Sequence, residues 1–154
     1  MKTLDAIIAE SPVFAGLKQE QLEFIIGCAQ NVHFDEGQKI ASAGDPADTF
    51  YLIRMGEVAL DLDVPNRKSM RIDTVEAGQV VGWSWLIPPN EWKYDVTATE
   101  LVRAVAFDGA CLREKCDSDP ELGYALLSRF AQVLVGRLQS TRLRLLDIYG
   151  ADTH

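Results

Sequence analysis

The sequence predicts a mainly β domain with flanking helices: an antiparallel, jelly-roll-like β-roll of about eight strands, with N-terminal helices before it and a long C-terminal dimerisation helix after it. Short apolar runs ending at Gly37, Gly44 and Gly56 point to strands separated by tight turns, because glycine tolerates the positive φ such turns require. Between Asn31 and Asp108, turn residues recur at about every eight to twelve positions, the rhythm of short antiparallel strands. Near the C-terminus, Ala131, Leu134, Leu138, Thr141, Leu145 and Ile148 alternate by three and four, the period of a helical seam.

Leu4, Ile7 and Ile8 give a short amphipathic helix that ends before Pro12. Phe14-Ala15-Gly16-Leu17 links it to a second helix over Lys18–Cys28, where Leu22, Ile25 and Ile26 share one face. Strands are then expected at Val32–Phe34, Lys39–Ala41, Phe50–Met55, Glu57–Asp63, Met70–Val75, Gln79–Val81, Val96–Thr99 and Val102–Phe107. Pro65-Asn66-Arg67 marks a hairpin tip, and Glu76-Ala77-Gly78 another turn. Asp108 and Asp119 read as helix N-caps, the second followed by Pro120 at the first helical position. The last helix is expected from Pro120 to Tyr149, stopped by Gly150, with Gly123 and Gly136 as weak points.

The chain therefore reads as one domain over 1–154. Its N-terminal helices occupy 1–30, its roll 31–108 and its C-terminal helices 109–150. At 154 residues it is long enough to bury a single core. A net charge of −8 argues against a nucleic-acid face, and the cluster Arg137, Arg142 and Arg144 reads as a solvated helix surface. No apolar run reaches the ~20 residues of a membrane helix. Asp5 and Glu10 interrupt the N-terminus, so it is not a secretory signal. An odd set of three cysteines, Cys28, Cys111 and Cys116, suits a reducing cytoplasm and incidental thiols rather than a disulfide framework. With His33 and His154 isolated, no metal site is expected. No nucleophile has a base partner at motif spacing, so no catalytic residue and no enzyme activity are expected.

The glycine pattern from Gly37 through Gly56 to Gly82, within this order of helices and strands, resembles the sensor half of the catabolite activator (Crp/Fnr-type) regulators, which are cyclic nucleotide-binding domains. The resemblance covers about Leu4 to Ile148. Such regulators continue into a helix-turn-helix, whereas this sequence ends at His154 without room for two further helices, so direct DNA binding is not expected. The resemblance implies a phosphate-binding cassette, here 79–98. In the family, a glycine and the N–H groups opening a short helix meet the phosphate, an arginine pairs with it, and a glutamate takes the ribose hydroxyl.

The same stretch reads VVGWSWLIPPNEWKYDVTAT. Gly82 is kept and Leu86 fits the apolar place of the short helix. Trp83 stands where the glutamate is expected, and Trp92 or Lys93 where the arginine is expected. Asp95, close by, would repel a phosphate. A hydrogen bond to a charged group contributes about 1.5–3 kcal/mol. Losing both contacts would weaken binding by about two to four powers of ten. Lys93 restores charge but not the two-pronged guanidinium.

Trp83, Trp85 and Trp92 are all the tryptophan in the chain. They read as a plug extending the core, as a rebuilt pocket gripping a flat ligand, or as an exposed patch for a partner. Under the ligand reading the site is Gly82, Trp83, Ser84, Trp85, Leu86, Trp92, Lys93 and Tyr94. Thr141 would act as lid, since it matches the family position whose hydroxyl meets the base across the dimer. It is equally readable as a polar heptad position. The C-terminal seam likewise has two readings, packing on its own roll or pairing with a second copy, and its length favours the homodimer. Two functions follow. One is a stand-alone sensor that binds a small effector, a cyclic nucleotide or another, which is other than cyclic AMP or is cyclic AMP held more weakly, needs no resident cofactor and signals to an unidentified partner protein. The other is a ligand-free docking or assembly module.

Overall fold

The structure, a computed structural model, describes residues 3–63, 65–66 and 68–152, and in the last helix the side chains as far as 143 together with that of Leu146. The chain runs α1 (Leu4–Glu10), α2 (Gln19–Gly27), β1 (Ala29–Phe34), β2 (Lys39–Ala41), β3 (Thr49–Met55), β4 (Glu57–Leu62), β5 (Met70–Glu76), β6 (Val80–Val81), β7 (Asp95–Ala98), β8 (Val102–Asp108), α3 (Gly109–Ser118) and α4 (Pro120–Asp152). Each expected strand is present, within a few residues of its expected ends.

The strands form two four-stranded antiparallel sheets, ordered β1-β8-β3-β6 and β2-β7-β4-β5. Side chains alternate across a strand, so the first sheet serves two cores. Phe50 and Leu52 of β3, with Val105 and Phe107 of β8, point to the helices and pack with Ile8, Phe14, Ile25, Leu112, Leu122, Leu126 and Phe130. Ile53, Val102 and Ala104 point the other way and meet Val58, Leu60, Val75, Val96 and Ala98 of the second sheet. The molecule is thus helices, sheet and sheet in three layers, and the interior of the roll lies between the sheets.

Gly56 turns β3 into β4 at φ 91°. Only glycine fits there, because a Cβ would run into the Leu101 carbonyl oxygen. Asp108 and Asp119 cap α3 and α4 as expected, accepting the backbone N–H of Cys111 at 3.0 Å and of Leu122 at 3.2 Å.

Two helical expectations are corrected. Gly150 does not stop α4, which continues to Asp152. Gly123 is no weak point either: it brings α4 close to α3, and a Cβ there would stand 3.3 Å from Cys116 Cβ. The face of α4 on the roll is Leu122, Leu126 and Phe130, with Val133 partly buried against it. The seam predicted from sequence lies on another face: Ala131, Leu138 and Thr141 are exposed and Leu134 is half-buried. The side chains of Leu145 and Ile148, and Arg67 of the hairpin tip, lie outside the described residues.

Candidate functional site

Between β6 and β7 the chain passes from Val81 to Asp95, and on the way Glu91 bridges to Pro46. Gly82 opens this passage with φ 95°, a left-handed conformation. A Cβ at Gly82 would stand 2.6 Å from Trp92 Cη2 and 3.2 Å from Cζ3. The indole of Trp92 thus lies directly over the glycine, only 5% exposed, in the core between the sheets. Tyr51 stacks on it at 6.5 Å, and Tyr94 meets it edge-on at 6.5 Å.

Backbone hydrogen bonds hold Trp92 in place. Its N–H donates to Asp45 O at 2.9 Å, and its carbonyl accepts from Gly44 N–H at 2.8 Å. Ala47 N–H donates to Asn90 O at 2.7 Å. Asn90 reaches this position at φ 58°, which asparagine tolerates better than most residues. Its Nδ2 donates to the carbonyls of Ser84 at 2.9 Å and Trp85 at 3.1 Å. Arg113 of α3 supports the same loop, donating to Trp85 O at 2.7 Å and Ala47 O at 3.1 Å and pairing with Asp48 at 2.9 Å. Neither Asn90 nor Arg113 figured in the sequence reading. Asn90, following two prolines, carried a turn signal, whereas Arg113 lies on a distant helix and carried none.

The other candidate residues fall in different environments. Trp85 is fully buried on the helix side, stacked on Phe50 at 4.7 Å and edge-on to Phe130 at 5.4 Å. Ser84 is buried, and Leu86 packs half-buried against the same helix-side core. Lys93 is exposed. Asp95 turns its carboxylate to the β2 edge, accepting Ala43 N–H at 2.8 Å beside Lys39 at 3.5 Å. The short helix expected after Gly82 is instead a single turn, in which Leu86 N–H donates to Trp83 O at 3.2 Å.

Trp83 is half-buried against the helix-side core, next to Tyr94. Burial pushes the Tyr94 phenol up from its ordinary value, against opposing effects of the Arg137 guanidinium and the Trp83 indole. Arg137 reaches from α4 to Asp73 of β5 at 3.2 Å and to Val80 O of β6 at 2.8 Å. Thr141 Oγ1 donates to Arg137 O at 2.9 Å, a bond within its own helix, and the residue is exposed. The structure therefore brings Gly82, Trp92 and Tyr94 together, places Trp83 half-buried on the helix-side core with Trp85, and leaves Lys93 exposed. Phosphate recognition would need a free guanidinium and open N–H groups, and here an indole covers the glycine. Among the described residues no group of three or more His, Cys, Asp or Glu is placed to hold a metal.

A family model described as cyclic nucleotide-binding domain matches residues 31–119. Among solved structures, one from Geobacter metallireducens GS-15, described as cyclic nucleotide-binding, is 29% identical with a TM-score of 0.81, covering 90% of this chain and 99% of that one. A cyclic nucleotide-binding domain from Methylobacillus flagellatus KT has a TM-score of 0.79 at 24% identity, covering 93% of this chain and 83% of that one, and shows the fold alone. A Rhodopseudomonas palustris protein described as a potassium channel is 25% identical over 146 residues, which are 94% of this chain and 34% of that protein. The chain thus spans about a third of that relative's length.

Proposed function

Because the chain belongs to the cyclic nucleotide-binding domain family, and because its own indole covers the cassette glycine, we propose that it is a regulatory domain that does not depend on cyclic AMP. The observation that carries this is Trp92 lying 2.6 Å from where a Gly82 Cβ would be, in the place the family resemblance gives to the phosphate and its arginine. A small effector of another kind, flat or apolar, would have to displace the indole and use Trp83, Tyr94 and the loop around them. The response would pass along α4, since Arg137 ties that helix to β5 and β6 beside the site. A homodimer through α4 fits the exposed positions Ala131, Leu138 and Thr141, and the fold fits a regulatory part better than an enzyme. Among the described residues no helix is long and apolar enough to cross a membrane.

A second reading, a docking module without any ligand, is favoured by how the loop is satisfied internally: Asn90 bonds Ser84 O and Trp85 O, and Arg137 bonds Asp73 and Val80 O. Calorimetric titration with cyclic AMP, cyclic GMP and cyclic dinucleotides separates the readings. No saturable heat with cyclic AMP in the micromolar range is expected. Heat from another nucleotide favours the sensor, and silence throughout favours the docking module. Micromolar, saturable cyclic AMP binding would overturn both.

A further inference from the structure

Cys28 and Cys111, 83 residues apart in sequence, stand with their sulfurs 3.4 Å apart. Cys28 caps the end of α2, and Cys111 lies in the first turn of α3. The junction is fixed from both sides. Asp108 N–H donates to Cys28 O at 2.9 Å, and Ala29 pairs with Phe107 in the β1–β8 ladder. A disulfide needs its sulfurs about 2.05 Å apart, so the pair must close by only about 1.4 Å, which side-chain rotation and small backbone shifts can supply. A cavity of about 430 Å³, lined by Cys28, Gln30, Asp48, Thr49 and Asp108, opens beside the pair. Cys116, further along α3, faces α4 at Gly123 instead.

We propose that Cys28 and Cys111 form an intramolecular disulfide when the protein meets a small-molecule disulfide such as oxidised glutathione. Cys28, which opens on the cavity, gives its proton to water, and its sulfur attacks the reagent's S–S bond, expelling one thiolate. Cys111 then loses its proton, attacks the Cys28 sulfur of the mixed disulfide and expels the second thiolate. The protein loses two electrons and two protons, and the reagent leaves as two thiols. The first step is slow, since burial and the neighbouring thiol push Cys28 up to about 12 and leave little thiolate. The carboxylate of Asp108 opposes a negative sulfur there as well. Proximity, rather than thiolate population, favours the bond. Once formed, it ties the N-terminal helices to the start of the α3–α4 arm.

The test equilibrates the wild-type protein in mixtures of reduced and oxidised glutathione, quenches with acid, labels free thiols with a maleimide and maps the peptides by mass. At the reducing end all three cysteines should label. At the oxidising end only Cys116 should label, with the peptides of Cys28 and Cys111 joined in a monomer lighter by two hydrogens. Cys28→Ser and Cys111→Ser should each abolish the link, and Cys116→Ser should leave it. Three free thiols at the oxidising end, glutathione mixed disulfides as the end product, or a bond to Cys116 would each overturn the proposal, and the wild-type mapping decides even where a variant folds poorly.

Discussion

A side chain at Gly82 meets two penalties at once. Its φ of 95° lies in the left-handed region, which costs an L-residue about 1–2 kcal/mol. The added methyl also falls 2.6 Å from Trp92 Cη2, an overpacking that costs about 1–3 kcal/mol. Gly82→Ala should therefore lose about 2–5 kcal/mol in urea unfolding. Trp92→Leu removes the clash, so the double variant should lose less than the two single losses combined. Strict additivity across the four proteins would mean that the indole does not lie over Gly82. Titration provides a second residue-scale prediction. Cys28, Tyr51 and Tyr94 are all pushed up, chiefly by burial. Each holds its proton more tightly folded than unfolded, so its stabilisation is complete below the unfolded value and disappears as pH rises through the folded one. For Cys28 that window runs from 9.0 to about 12, and for the tyrosines it begins at 10.0. The melting temperature should fall steadily above pH 9.0, and Cys28→Ser should flatten the start of that fall. A melting curve flat through this range would contradict the burial of all three groups.

Among the elements, the strands were legible because alternation and glycine turns are local signals. The roll interior shows this well: Phe50-Tyr51-Leu52-Ile53 alternates between the two cores as a strand between two layers must. The cassette was legible only as a list of candidates. Three indoles within ten residues look alike in sequence. Their division into helix-side core (Trp85, with Trp83 half-buried against it) and roll interior (Trp92) depends on the left-handed turns at Gly82 and Asn90 and on Arg113 arriving from α3. Equally hidden was Arg137, which read as part of a solvated basic face but anchors α4 to the roll with both partners on strands. Its pair with Asp73 is mostly shielded, with side chains 23% and 22% exposed. Hydrogen bonds to a charged group contribute about 1.5–3 kcal/mol, so Arg137→Ala should lose an amount in that range. Arg137→Lys should recover little of it, because an ammonium does not reproduce the planar fork that spans Asp73 and Val80 O. Full rescue by lysine in thermal unfolding would reduce the anchor to simple charge.

The whole molecule is shaped by α4, whose 33 residues extend well beyond what one roll covers. Its inner face is used up to Arg137, while Leu127, Val135, Leu138, Leu143 and Leu146 are between 47% and 67% exposed. Leu62 and Met70, at the turn end of the β4–β5 hairpin, are also exposed, at 41% and 53%. A single chain leaves these apolar groups in water, whereas two copies joined along the α4 seam would cover Leu138 and Leu127, which share its face. Leu138 decides the matter cleanly, because it is exposed and belongs to neither core cluster. A charge there should break a seam without unfolding the domain. Burying a leucine side chain contributes about 1.5–3 kcal/mol, and a symmetric seam loses one from each copy, so Leu138→Glu should weaken association by about two to four powers of ten. Sedimentation should then show a dimer for the wild type and a monomer for the variant, with unchanged circular dichroism below the melting point. A wild-type protein that sediments as a monomer at every concentration would remove the dimer and leave the fold and the Trp92–Gly82 contact untouched, because those rest on contacts within one chain.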